Sequence, residues 1–150
     1  MTPFPLPPLL LRQWVETALQ EALGDAGDHP TLATVPMGNP LTATISTRQA
    51  GVVAGVDLAA TAFEMVDPDL VVQIHADDGT KVVAGAPLLS VEGEARSLLT
   101  AERTALNMLG HLSGIATATR ALVDAVEGTD THITCTLKSL PGLRAFQKFA

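Results

Sequence analysis

Between Leu9 and Leu23 apolar residues return at helical spacing, with Leu10, Trp14, Leu19 and Leu23 on one face, which predicts a helix. Residues 1–8 before it hold four prolines and predict an irregular leader. Gly24-Asp-Ala-Gly-Asp-His-Pro30 predicts a stop and a loop. From Leu41 the period shortens to two. Leu41 to Thr47 alternates with β-branched residues and predicts a strand. Gly51-Val-Val-Ala-Gly55 predicts a short buried strand, and Asp57 to Met65 a helix with Asp57 as its N-cap. Leu70 to His75 predicts a further strand, Asp77-Asp78-Gly79 a turn, Lys81 to Val83 an extended piece, Gly85 to Pro87 a second turn, and Leu88 to Glu92 a strand. The strongest helical signal runs from Ala95 to Val126, where Leu98, Leu99, Leu106, Leu109, Leu112, Ile115 and Leu122 form an apolar stripe. Ser113-Gly114 predicts a break there, giving two helices end to end. After Glu127-Gly128 the pattern predicts a strand over His132 to Thr136. A last helix over Gly142 to Phe149 follows, with Pro141 at its first turn.

This order divides the chain into a leader (1–8), an α+β unit (9–112), and a new beginning (113–150). A strand followed by a helix is how an α/β barrel or a parallel sheet opens. One strand cannot make such a sheet, so the chain reads as if it stops inside a second domain.

Composition sharpens this picture. The 150 residues are 47% hydrophobic and 17% charged, which is globular rather than disordered. Aromatics are only 3%, with no Tyr, so the core must come from Ala, Val, Leu and Ile. A net charge of −7 argues against nucleic acid or an anionic membrane as partner. The Pro-rich start lacks a basic segment and is too short for a membrane span. A lone Cys135 forbids an intrachain disulfide, and a reducing cytoplasm is expected.

Several possible chemistries fall away. His29, His75, His111 and His132 lack metal-ligand spacing. Asp77-Asp78-Gly79 falls short of a calcium loop, and Gly51 to Gly55 lacks the spacing of a phosphate loop. Cys135 has no adjacent base, and a thiol at a strand end reads as a small buried hydrophobe rather than a nucleophile. Asp78 to Gly93 resembles the turn–strand pattern of biotinyl and lipoyl carrier domains. No lysine sits between two methionines or in an acidic-flanked tip, so the likeness reads as shared hammerhead geometry.

Two further segments carry more. Leu99-Thr-Ala-Glu-Arg-Thr-Ala-Leu-Asn107, followed by Leu112-Ser-Gly-Ile-Ala-Thr117, resembles the helix signature of quinolinate phosphoribosyltransferases. Thr136-Leu-Lys-Ser-Leu-Pro-Gly-Leu-Arg144 resembles their Thr-Arg-Lys-Thr-x-Pro-Gly-Leu-Arg motif. Thr31-Leu-Ala-Thr-Val-Pro36 and Ala50-Gly-Val-Val-Ala-Gly55 are similar to that family as well. The resemblance implies an N-terminal α/β sandwich of hammerhead type followed by the start of an α/β barrel. It also implies an obligate dimer in which one copy's N-terminal domain covers the other's barrel mouth. The implied reaction joins quinolinate and phosphoribosyl pyrophosphate, with magnesium, to give nicotinate mononucleotide, pyrophosphate and carbon dioxide. The magnesium ligands and most of the phosphoribosyl site are expected outside this chain, so the chain alone is not expected to carry out the full reaction.

Residue by residue, the resemblance implies that Arg103 reaches the quinolinate carboxylates from the opposite copy. Lys138 takes a catalytic and substrate-binding role at the end of the first barrel strand, and Thr136 binds substrate beside it. Arg suits a carboxylate because its planar fork pairs with both oxygens. Read without the resemblance, Arg103 is a solvated helix arginine near Glu102 or Asn107, Lys138 a loop lysine, and Arg144 a packing or capping residue. The departures are concentrated: Cys135, Leu137 and Ser139 stand where the motif has Asp, Arg and Thr, and Thr134 replaces a basic residue. Losing the bidentate contact at Leu137 costs roughly 1.5–3 kcal/mol, one to two decades in binding or rate. Three readings stay open: a less anionic ring acid as substrate, an inactive paralogue, or a truncated or altered form of an ordinary enzyme. A non-catalytic dimerisation or interaction domain, pairing with itself or a full-length copy, is the rival to the enzyme part.

Overall fold

The computed structural model describes residues 6–150. Of the expected leader, residues 1–5 lie outside the described residues, and Pro8 already opens α1 (Pro8–Leu23), where a missing N–H costs nothing. Val15 and Leu19 are its buried residues. The expected loop ends early. Asp28 caps a short α2 (His29–Thr34), its carboxylate accepting from Thr31 N–H at 3.2 Å.

Three antiparallel strands follow the order β1 (Pro40–Ser46), β5 (Pro87–Glu94), β3 (Val71–Ile74), with β5 in the middle. Along β1 the residues alternate between exposed and half-buried, so Leu41, Ala43 and Ile45 turn inward. A separate two-stranded ribbon pairs β2 (Gly51–Val52) with β4 (Lys81–Val82). Between them α3 (Val56–Val66) crosses the core, burying Leu58, Ala59, Ala62 and Phe63. Its cap is Gly55, at φ +91°, and not Asp57, which lies inside the first turn. The N–H of Val56 instead bonds the Asp78 carboxylate at 2.9 Å, so the acid at this helix start comes from the β3–β4 turn.

The long helix α4 (Ala95–Ala125) runs unbroken for 31 residues, contrary to the expected break at Ser113-Gly114. Ser113 and Thr117 explain the continuity. Ser113 Oγ accepts from Ala54 N–H at 3.1 Å and donates to Ala54 C=O at 3.2 Å. Thr117 Oγ1 accepts from Val52 N–H at 2.9 Å. Four helix residues rise about 6 Å and two strand residues about 6.6 Å, so an i, i+4 hydroxyl pair can serve alternate strand residues. Gly51 completes the fit, since a Cβ there would meet Thr117 Oγ1 at 2.6 Å. The expected apolar stripe is partly right. Leu98, Leu109 and Leu112 are buried, but Leu106 and Leu122 are exposed, and Ala101, Ala105, Met108 and Ala116 fill the inner face. The alanines let α3 and α4 approach closely, with Ala59, Ala62, Ala101 and Ala105 fully buried.

After α4 the expected strand His132–Thr136 does not form. The segment is irregular, exposed and, among the described residues, has no strand beside it to take its backbone groups. Its thiol, Cys135, is exposed rather than buried. The last helix, α5 (Arg144–Phe149), starts later than expected because Gly142 sits at φ +81°, outside helical geometry. The fold is therefore α+β with small sheets.

Candidate functional site

Helix α4 carries Arg103 on its exposed side. A groove of about 370 Å³ runs between α1 and α4, lined by Trp14, Glu21, Arg103, Thr104 and Asn107 among others. Among the described residues Arg103 forms no ion pair within 4 Å, although Glu21 of α1 lines the same groove. Asp28 is the acid that chemistry singles out. Its carboxylate also accepts from Thr100 Oγ1 at 3.2 Å, one turn before Arg103. Hydrogen bonding from Thr31 holds the Asp28 carboxyl below its ordinary range against partial burial, with Thr100 and the Arg103 charge adding to the effect. The Thr104 hydroxyl, next to Arg103 in sequence, is buried without a partner among the described residues.

Thr136 and Lys138 come together, but through the backbone: Lys138 N–H bonds Thr136 Oγ1 at 3.1 Å. The Lys138 side chain is exposed, as are Cys135 and Leu137, the last at 77%. Ser139 is half-buried and its Oγ accepts from Arg144 Nε at 3.3 Å. Arg144 thus holds the turn before its own helix, as the packing reading has it. No hydrogen bond or ion pair among the described residues joins Arg103 to the 135–139 segment. What ties the two regions is α5. Phe146 is buried edge-on against Trp14 at 5.5 Å between ring centres, and Gln147 bonds both Leu140 N–H and the His111 ring. His111 lies eight residues beyond Arg103, ~12 Å along the helix.

A larger and mostly apolar groove, about 660 Å³, opens on the other side of α4, where Ile45, Arg48, Val52 and Val82 face Leu106, Ser113 and Thr117. Near α3, burial raises the Asp78 carboxyl above its ordinary range, with the charges of Asp57 and Asp77 adding and the Val56 and Gly55 amides opposing. Sequence reasoning missed Asp28 and Asp78 as capping acids. The signal for Asp28 was present: an acid three residues before Thr31, with Pro30 in the first turn. Asp78 had none, because its helix lies 22 residues away. Among the described residues no three His, Cys, Asp or Glu side chains could hold a metal ion, and no helix is long and apolar enough to cross a membrane.

Comparison with known proteins matches this architecture. The family model described as quinolinate phosphoribosyl transferase, N-terminal domain, matches residues 28–113, and the C-terminal domain of the same name matches residues 115–150. A nicotinate-nucleotide pyrophosphorylase (carboxylating) of Mycobacterium leprae is 48% identical over 141 residues, covering 93% of this chain and 50% of that protein. A chloroplastic namesake from Oryza sativa subsp. japonica is 41% identical, covering 93% of this chain and 37% of its own length. Among solved structures, the nicotinate-nucleotide pyrophosphorylase from Francisella tularensis superposes with a TM-score of 0.90 at 32% identity, covering 97% of this chain and 51% of that one. NadC from Streptococcus pyogenes gives 0.91 at 33% identity, covering 97% and 52%. The chain spans half the length, or less, of the curated relatives named.

Proposed function

This chain belongs to the quinolinate phosphoribosyltransferase family, and from that premise we propose that it serves the formation of nicotinate mononucleotide from quinolinate and phosphoribosyl pyrophosphate, with loss of pyrophosphate and carbon dioxide. Two copies, or this chain and a longer one, share the pocket. Arg103 reaches the ring carboxylates from the opposite copy, while Thr136 and Lys138 face substrate within the barrel begun at 113–150. The observation that carries the reading is Arg103: an exposed guanidinium, on a rigid helix, with no ion-pair partner among the described residues. An exposed arginine whose fork is open is suited to a planar dicarboxylate arriving from outside its own domain. The exposed Lys138, with no ion pair among the described residues, fits the same purpose. A cytoplasmic reaction suits the one free thiol. Among the described residues no three His, Cys, Asp or Glu side chains gather to hold a magnesium ion.

Leu137 weakens the pocket by one guanidinium. Titration calorimetry of the chain with quinolinate against nicotinate tests the reading. Quinolinate should bind more tightly, Arg103→Ala and Lys138→Ala should each weaken it, and Leu137→Arg should strengthen it by about one to two decades. Equal affinity for the two acids, unmoved by Arg103→Ala, refutes it. A second reading, an interaction domain without catalysis, is favoured by the apolar groove and by Leu122, Leu137 and Leu140, all more than half exposed. Labelled carbon dioxide released from carboxyl-labelled quinolinate by the purified chain would exclude that reading.

A further inference from the structure

The turn that opens α2 sets Asp28 against α4, beside the turn that bears Arg103. One carboxylate oxygen accepts from Thr31 N–H and the other from the Thr100 hydroxyl, each at 3.2 Å. Thr100 and Arg103 are three residues apart on α4, so they share a face. The arginine's charge is felt at Asp28, yet no ion pair within 4 Å joins them. Glu21 across the groove and Glu102 next in sequence are also near, but neither carboxylate accepts a hydrogen bond among the described residues.

We propose that Asp28 is a positioning residue for Arg103: pinned at both oxygens by Thr31 and Thr100, its fixed charge narrows the range of the guanidinium without occupying the fork. The proposal rests on the reading of Arg103 as the substrate contact. The physical advantage lies in the distance. A long, flexible arginine loses much side-chain freedom when it binds. A bidentate partner inside the chain would restrict it but would have to be displaced by the substrate. A carboxylate held on the neighbouring turn without an ion pair restricts it and leaves all five N–H donors open.

The test uses the 150-residue chain and needs no substrate. Asn matches Asp as a helix N-cap. Asp28→Asn therefore preserves the bond to Thr31 and removes the charge. The readout is the Nε–Hε signal of Arg103 in nitrogen-15 spectra, through its heteronuclear NOE and its exchange with water. In Asp28→Asn the NOE should fall and exchange should speed by about two- to fivefold, the scale of a screened surface charge interaction. The Thr31 amide should keep its protection. Thr100→Val, which retains the charge but frees one oxygen, should give a smaller change of the same sign. An Arg103 signal unchanged in Asp28→Asn with Thr31 still protected overturns the proposal. If Thr31 loses protection, Thr100→Val decides: a looser Arg103 supports the proposal and an unchanged one overturns it. Because no ligand enters, this failure is distinct from a failure of quinolinate to bind.

Discussion

Replacing Ser113 by Ala removes one oxygen and strands two backbone groups. Ala54 is 3% exposed, and among the described residues its N–H and C=O bond only Ser113 Oγ. Each buried group left unpaired costs about 1–3 kcal/mol. Two effects oppose this. Alanine is the better helix former by about 0.5 kcal/mol. The apolar groove that Ser113 lines also admits water to one side of the vacancy. The unpaired groups still dominate, and a net loss of about 2 kcal/mol follows. For a chain of this size that lowers Tm by about 4–8 °C. Urea unfolding followed by circular dichroism should show the midpoint moving with the slope unchanged. Ser113→Thr, which restores the hydroxyl and places its methyl in the groove, should recover most of the loss. A Ser113→Ala protein within about 0.5 kcal/mol of the parent would refute the claim that these hydroxyls complete the backbone bonding of the strand segment.

Two other outcomes follow from the same structure. Phe146→Ala should release α5 from α1; since Trp14 is the only tryptophan, its emission should shift to the red, and an unmoved spectrum would contradict the packing described. Asp78 has a folded-state pKa raised above 3.8 by burial, so its contribution to stability is fully present below the unfolded pKa and is lost as pH rises through the folded one. Asp78→Asn, which retains an acceptor for Val56 N–H, should therefore match or exceed the parent at pH 7, with the margin shrinking toward pH 4; urea midpoints at the two pH values check it.

Local pattern made most of the elements legible, because the periods of helix and strand survive in single segments. The strands from Leu41 to Glu92 and the helices around Trp14, Phe63 and Leu109 could all be read that way. What escaped depends on partners distant in sequence. Ser113-Gly114 looks like a break until Ala54 is seen 59 residues away, accepting and donating to the same hydroxyl. His132 to Thr136 has β-branched residues but, among the described residues, no neighbour to pair with. The thiol of Cys135 is exposed for the same reason. At the candidate site, motif likeness pointed to Arg103, Thr136 and Lys138. It did not reveal that Asp28 and Thr100 hold the surroundings of Arg103, since no periodicity marks a cap that reaches 72 residues along the chain.

The unbroken α4 also acts as a lever arm. Its 31 residues span roughly 46 Å, and Arg103 stands ~15 Å from the pivot where Ser113 grips Ala54. A tilt of about 5° at that pivot swings the guanidinium's base by about 1.3 Å, and displacements near 1 Å can cost a hundredfold in rate. If Arg103 takes its proposed role, two hydroxyls that never touch the substrate would set its aim, and a substitution there would be felt as a miss at the far end of the rod.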